Sequence, residues 1–271
     1  MAISLKDKVV LITGASSGFG RDAAHLFAAE GAKVVVAARR LNHLQALAQE
    51  IQDHGGEALA VPVDVTRRVE IDLMVRTVME FYGRVDILFN NAGFGSIDFF
   101  DDLDPERDIE TQVQVNLTGL MLVTHALLPQ MIARREGHII NMASISAWIP
   151  APTYSVYGTT KAGVRAFTGA LRREVAKHNI KVSAIYPAPS KTEFNWGNAR
   201  KHRKPGWFKY LFVPPERVAQ RVVELAENPR RSVTMPAWFA LIGFFDLVIP
   251  GVVDWFVKVL YTNRIKKLEK K

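Results

Sequence analysis

The sequence predicts an α/β fold in which a doubly wound parallel sheet carries helices on both faces. Short apolar, β-branched runs alternate with amphipathic helical stretches, and a glycine-rich turn follows the first run. No linker rich in Pro, Gly or Ser interrupts this rhythm through Tyr186. Alternating strand and helix signals are typical of a parallel sheet. We therefore expect a single domain over residues 1–235, followed by an apolar and basic tail over 236–271.

The composition excludes several classes of protein. The 271 residues are 48% hydrophobic and 23% charged and include no cysteine. Disorder and a disulfide-stapled scaffold are therefore excluded, as are thiolate metal sites and cysteine nucleophiles. The seven histidines are scattered, so we expect no metal site. Residues 1–8 show no signal-peptide pattern, and we expect a cytoplasmic protein.

The first predicted strand, over residues 9–12, leads through a glycine-rich turn into a helix over 18–31. In this context glycines let the backbone approach a pyrophosphate, and the helix N-terminus supplies N–H groups. A purely structural turn is the alternative. The turn predicts a Rossmann-type dinucleotide site with cofactor contacts from Gly14, Ser16, Ser17, Gly18, Phe19 and Gly20.

The second predicted strand, over residues 34–38, ends at Arg39 and Arg40. A carboxylate at this point would bind the ribose 2′-hydroxyl of NAD, whereas arginines pair with a 2′-phosphate. Two arginines that only solvate the start of a helix are the alternative. We predict that NADP(H) is the cofactor.

The same alternation continues along the chain. Strands are predicted at 58–63, 85–90, 138–142 and 181–186, and helices at 41–55, 67–82, 105–135 and 155–178. After Tyr186 an irregular aromatic and basic segment precedes a helix near 214–228 and a short strand near 232–235.

Motifs on these elements resemble the classical short-chain dehydrogenase/reductase family over residues 5–235. The shared motifs are the Thr13–Gly20 turn, Asp64-Val65, the Asn90–Gly93 run, Asn116, Ser144, and Tyr157 with Lys161. The resemblance implies catalytic roles for Asn116, Ser144, Tyr157 and Lys161, with Asn116 holding a water in a proton relay. It also implies a substrate lid over 188–213 and further cofactor contacts from Asp64, Val65, Asn91, Ala92, Gly93, Tyr157, Lys161, Pro187 and Thr192.

Elementary chemistry supports the central pair. Tyr157 and Lys161 are four residues apart in a helical stretch, so their side chains share one face. A nearby ammonium favours the phenolate, so we expect Lys161 to lower the pKa of Tyr157. Tyr157 then serves as general acid/base, while the hydroxyl of Ser144 holds the substrate oxygen. Ser146 is the nearby competitor of Ser144, and Asn116 has a purely structural alternative at a helix kink.

One segment departs from the family pattern. The family carries Pro-Gly after the sixth strand, whereas this chain has Pro187-Ala188, followed by Thr192 at the family's threonine position. Because glycine permits backbone angles that alanine avoids, Ala188 changes the angles open to the loop on the nicotinamide side. Thr192 keeps its expected role as a partner of the cofactor carboxamide.

The net charge of +8 is confined to two patches. Residues 191–209 carry +5 and residues 262–271 carry +4, so the rest of the chain is close to neutral. This pattern does not indicate nucleic-acid binding. For the tail we keep three hypotheses: packing against another subunit, two short helices split at Pro250 in a membrane interface, and a spanning helix, which Asp246, Asp254 and Lys258 disfavour.

We therefore predict an NADP(H)-dependent oxidoreductase that interconverts a secondary alcohol and a ketone on an apolar, lipid-, steroid- or terpenoid-like substrate. A 3-oxoacyl thioester reductase and a non-catalytic NADP(H)-binding module are the alternatives. The expected partners are the substrate, a second copy in a homodimer or homotetramer, and the inner face of a membrane through residues 236–271.

Overall fold

A computed structural model of the chain describes residues 2–149, 151–190, 212–255 and 257–259. Within them, seven parallel strands form one sheet in the order β3-β2-β1-β4-β5-β6-β7. The predicted doubly wound sheet is confirmed, with each predicted strand placed within two residues. The strands are β1 (Val9–Thr13), β2 (Lys33–Ala38), β3 (Glu57–Pro62), β4 (Ile87–Asn90), β5 (Gly137–Met142), β6 (Ile180–Pro187) and β7 (Ser232–Met235).

Helices cover both faces of the sheet, as the alternation of β1 side chains between two core clusters shows. Val10 and Ile12 belong to one core cluster, and Val9 and Leu11 belong to another. Side chains alternate between faces along a strand, so the two clusters lie on opposite sides of the sheet. The first cluster contains residues of α1 (Gly18–Ala29), α2 (Leu41–Asp53) and α7 (Pro215–Glu227). The second cluster contains residues of α3 (Arg68–Tyr82), α5 (Leu120–Arg134) and α6 (Ser155–Val175).

The predicted helix over 105–135 is helical throughout, but it is not one α-helix. The π-helical segments Pro105–Glu110 and Gln114–Gly119 flank α4 (Thr111–Val113), and α5 continues to Arg134. Such wide turns often occur at functional sites, and the second one carries Asn116. The predicted helical stretch is therefore present, with two wide π-helical turns that the sequence analysis did not predict.

The same stretch, Pro105–Arg134, is the one described helix that is long and apolar enough to cross a membrane. Length and composition alone are weak evidence, because core helices share both properties. Val123, Leu127 and Met131 are fully buried in the core cluster that covers the sheet. We therefore assign this stretch to the core of the fold.

The described part of the tail after β7 is helical and divided into two pieces. Helix α8 (Phe239–Val248) ends at Ile249, and helical backbone resumes over 250–255 and 257–259. The break therefore lies one residue before the predicted position. Pro250 begins the second helical piece, a position where proline is well tolerated.

Candidate active site

The glycine-rich turn after β1 packs closely against the loop after β4. Gly14 has a φ of +66°, and a Cβ on it would lie 2.7 Å from the Cα of Ala92. A Cβ on Gly20 would lie 2.5 Å from Asn91 Nδ2, which donates to the carbonyl oxygens of Thr13 and Gly14 at 3.1 Å each. Only glycine fits at these two positions without displacing the neighbouring loop.

A cavity of about 610 Å³ opens at the carboxyl ends of the strands. This is where open parallel sheets bind their ligands. Gly20 and Asn116 lie behind its wall, and Thr192 lies outside the described residues. The predicted residues that line it are Gly14, Ser16, Ser17, Gly18, Phe19, Arg39, Arg40, Asp64, Val65, Asn91, Ala92, Gly93, Ser144, Tyr157, Lys161 and Pro187.

The two arginines after β2 lie at the rim of this cavity and are exposed. Arg40 Nη2 and Nε donate to Ser16 Oγ at 3.0 and 3.3 Å. The nearby carboxylate of Asp64 accepts hydrogen bonds from the backbone N–H and hydroxyl of Thr66, at 2.9 and 2.8 Å. The Asp64 carboxylate is therefore held by its own loop, and the strand end presents positive charge.

Tyr157 and Lys161 lie on the first turns of α6, and both side chains are buried. Lys161 Nζ donates to the carbonyl oxygen of Met142 at the end of β5, at 2.9 Å. The same nitrogen is 5.8 Å from the centroid of the Tyr157 ring. The structure therefore brings the predicted pair together, with the lysine fixed by the neighbouring strand.

Burial dominates the ionisation of both groups. It raises the pKa of Tyr157 to about 12, with a smaller opposing effect of the hydrogen bond with Ser144. It lowers the pKa of Lys161 to about 8, because a buried ammonium loses hydration. The pKa of Tyr157 is therefore raised and not lowered as we expected, because desolvation dominates its surroundings.

Ser144 occupies the position where β5 gives way to a short 3₁₀ turn, Ile145–Ala147. Its Oγ accepts a hydrogen bond from the backbone N–H of Ser146 at 3.2 Å, and its side chain also hydrogen-bonds to Tyr157. Ser146 lines the same cavity, with its Oγ 3.3 Å from Ser144 Oγ. The contact with Tyr157 favours Ser144 as the serine of the reacting centre.

Asn116 is fully buried and holds the loop that follows β4. Its Oδ1 accepts from the backbone N–H of Phe94 at 2.9 Å, and its Nδ2 donates to the Phe94 carbonyl at 2.8 Å. A Cβ on the adjacent Gly93 would lie 3.0 Å from Asn116 Oδ1 and 3.6 Å from Lys161 Nζ. Asn116 therefore fixes the loop beside Lys161.

The sequence analysis gave no individual role to Ser190 or Arg107, although both line the cavity. Ser190 is 5% exposed, and its hydroxyl has no partner among the described residues. Arg107 also lines the cavity and donates to Asp108, which lowers the pKa of that carboxyl to about 2. The family's threonine motif drew attention to Thr192 instead of Ser190, and no sequence pattern marks Arg107, which lies on a distant helical turn.

Comparisons with known proteins identify the family to which this chain belongs. The family model described as short chain dehydrogenase matches residues 8–203. An uncharacterised oxidoreductase from Listeria monocytogenes is 37% identical over 84% of this chain and 93% of its own length. An 11-beta-hydroxysteroid dehydrogenase A from Sesamum indicum is 31% identical over 94% of this chain and 75% of its own length.

Two solved structures are similar to this chain in both fold and sequence. A short-chain type dehydrogenase/reductase from Mycobacterium marinum superposes with a TM-score of 0.78 at 32% identity, covering 85% of this chain and 94% of that one. A 3-ketoacyl-(acyl-carrier-protein) reductase from Brucella melitensis, complexed with NADH, has a TM-score of 0.76 at 32% identity, covering 85% and 97%. The residues that the family model matches, 8–203, include strands β1 to β6 and all the residues that line the cavity.

Proposed function

Because this chain belongs to the short-chain dehydrogenase family, we propose that it is an NADP(H)-dependent oxidoreductase that interconverts a secondary alcohol and a ketone on an apolar substrate. One observation carries the proposal. Ser144, Tyr157 and Lys161 lie on the wall of the same cavity as the glycine-rich turn. A proton-transfer group and a nucleotide cradle in one cavity suit hydride chemistry on a carbonyl.

The residues present fit a nicotinamide dinucleotide. Gly14 and Gly20 leave space that a Cβ would fill, which gives the turn the close approach that a pyrophosphate needs. The bound cofactor would supply or accept the hydride. Arg39 and Arg40 would pair with a 2′-phosphate, and Lys161 would bind ribose hydroxyls. The exposed arginine pair at the end of β2 supports NADP(H) over NAD(H).

In the reducing direction, Tyr157 donates its phenolic proton to the carbonyl oxygen of the substrate. Its raised pKa of about 12 keeps it protonated at neutral pH and ready to act as the acid. The Ser144 hydroxyl donates a hydrogen bond to the same oxygen. The ammonium of Lys161 stabilises the phenolate that remains until solvent returns the proton. Asn116 positions the loop beside Lys161 through its two hydrogen bonds with Phe94.

The apolar substrate class has separate support. The aromatic and basic sequence of the predicted lid, most of which lies outside the described residues, favours a large apolar molecule. The relative from Sesamum indicum is described as a hydroxysteroid dehydrogenase. A 3-oxoacyl thioester reductase is the second candidate, because a neighbour with 32% identity is described as a 3-ketoacyl-(acyl-carrier-protein) reductase. The complete Ser144, Tyr157 and Lys161 set disfavours a non-catalytic cofactor-binding module.

The test is a panel of steroid, terpenoid and long-chain ketones together with 3-oxoacyl thioesters, assayed by the absorbance of NADPH and, in parallel, of NADH. We expect turnover of free ketones with a kcat/KM at least about tenfold higher with NADPH. Turnover of thioesters alone would favour the second candidate. Binding of NADPH with no turnover of any member would favour the non-catalytic module.

Assembly and location belong to the same proposal. We propose a cytoplasmic enzyme that forms a homodimer or homotetramer, with peripheral contact to the inner face of a membrane through residues 236–271. Sedimentation of the purified protein tests the assembly, and a purely monomeric enzyme with full activity would contradict it.

A further inference from the structure

Helix α8 lies against the loop that carries Ser144. A Cβ on Gly243 would lie 2.7 Å from the Cβ of Trp148, so the helix backbone contacts this tryptophan directly. Trp148 follows Ser144 by four residues. Its ring is 5.4 Å from the Tyr186 ring, and the Arg165 guanidinium lies 4.2 Å from its centroid. One side of α8 is therefore fixed to the wall of the catalytic domain.

Eight large apolar side chains in the described part of this segment are exposed to solvent. Two tryptophans, Trp238 and Trp255, are 48% and 64% exposed. Consecutive members of the set are separated by three or four residues, apart from Val248 and Ile249 at the helix break. This spacing places the members within each helical piece on one face, as an apolar stripe. We call this set the tail face, and it comprises Trp238, Leu241, Phe245, Val248, Ile249, Val252, Trp255 and Val259.

We propose that the tail face docks on an anionic lipid bilayer and holds the opening of the active site close to the lipid. The docking stands on the surface alone, whereas the delivery of an apolar substrate from the bilayer rests on the proposed function. Large apolar side chains that are grouped and exposed mark an interaction site in soluble proteins.

The chemistry of the surface favours a bilayer over a second copy of the chain. Tryptophans near both ends of the stripe suit the boundary between headgroups and acyl chains. A helical dimer seam would carry many charged residues beside the stripe. The charged residues in 238–259 are only three, Asp246, Asp254 and Lys258. The sequence that follows, 262–271, has five basic residues and one glutamate, a net charge of +4 that complements anionic lipid.

The position of the tail face gives the docking a consequence for catalysis. Because α8 contacts Trp148 on one side and exposes the tail face on the other, a bilayer against the tail face lies about one helix diameter, roughly 10 Å, from the loop that carries Ser144. An apolar ketone concentrated in the bilayer then reaches the cavity without crossing bulk water. The tail thereby selects substrates that partition into lipid.

The experiment is flotation of the full-length protein with phosphatidylcholine vesicles, with and without phosphatidylglycerol. We expect flotation with the anionic vesicles, reduced by high salt. The variant Val252→Asp/Trp255→Asp should float at least about tenfold less, because it places two carboxylates in the apolar stripe. The matched control is Phe81→Asp on α3, where the side chain is also 64% exposed, and its flotation should equal that of the parent.

Three outcomes would overturn the docking. These are no flotation of the parent protein, equal flotation of the tail and control variants, or loss of a dimer in the tail variant without vesicle binding by the parent. Far-ultraviolet circular dichroism checks that both variants are folded. Tyr157→Phe separates the two proposals, because it should float normally even though its ketone reduction is lost.

Discussion

The Arg40 guanidinium reaches from the end of β2 to the glycine-rich turn, where its Nη2 and Nε lie 3.0 and 3.3 Å from Ser16 Oγ. Two segments that are 24 residues apart in sequence thus form one rim of the cavity. A 2′-phosphate at this rim would meet both a guanidinium and a hydroxyl. The contact between Arg40 and Ser16 therefore supports the proposed preference for NADP(H) over NAD(H).

Replacing Arg40 tests that preference. We expect Arg40→Ala to raise the KM for NADPH about tenfold or more and to change the KM for NADH by less than about twofold, because only the phosphate pairs with the guanidinium. Initial rates with both cofactors measure the effect. Arg68→Ala, on the exposed first turn of α3, is the control. Equal increases for NADPH and NADH would exclude a role in recognising the 2′-phosphate.

The glycine-rich turn gives a second prediction, at Gly20. A Cβ there would lie 2.5 Å from Asn91 Nδ2 and 2.6 Å from the Gly14 carbonyl oxygen. We expect Gly20→Ala to lower the free energy of unfolding by about 1–3 kcal/mol through overpacking and to weaken cofactor binding. Denaturant unfolding and fluorescence titration with NADPH measure the two effects.

Gly169→Ala is the matched control, because the nearest atom to its added Cβ is 3.9 Å away on α6. Alanine there should raise stability by about 0.5–1 kcal/mol, since it is the better helix former. Similar stability of the Gly20 and Gly169 variants would show that the turn tolerates a side chain.

The buried Lys161 should make the free energy of unfolding depend on pH. Burial lowers its pKa from 10.5 to about 8, so between these values the unfolded chain binds a proton that the folded chain does not. The free energy of unfolding should therefore rise with pH in this window, by up to about 1 kcal/mol per pH unit. Below pH 8 the full cost of burying the ammonium is present.

The comparison is with Lys161→Met, which keeps the length of the side chain and removes the charge. The difference in unfolding free energy between the two proteins, measured from pH 7 to 10, should change steadily in favour of the parent. A difference that stays constant across this range would mean that the ammonium of Lys161 is as well hydrated in the folded state as in the unfolded state.

Much of this architecture follows from local pattern. The strand at 9–12, the turn and the helix after it were predicted because apolar β-branched runs, glycines and helical periodicity are all local signals. Ser144 and the Tyr157–Lys161 pair were found because their spacing matches a family motif. The structure places all three on the wall of one cavity.

Other features depend on packing between distant segments. The π-helical turn at Asn116 has no distinct periodicity, so the sequence predicted only a helical stretch there. Arg107 and Ser190 line the cavity only because the helical turn Pro105–Glu110 and the loop after β6 both lie at the strand ends. The pKa of Tyr157 was predicted in the wrong direction because the extent of its burial cannot be deduced from a spacing of four residues.

The most direct test of the account is the turnover number of Tyr157→Phe with a ketone substrate and NADPH. We predict that kcat falls about 10²–10⁴-fold while the dissociation constant for NADPH changes by less than about twofold, because only the proton donor is removed. Tyr154→Phe, whose ring lies 6.2 Å from the Tyr157 ring in the same cavity, should keep most of its activity. A Tyr157→Phe enzyme with the parent's kcat would contradict the central claim.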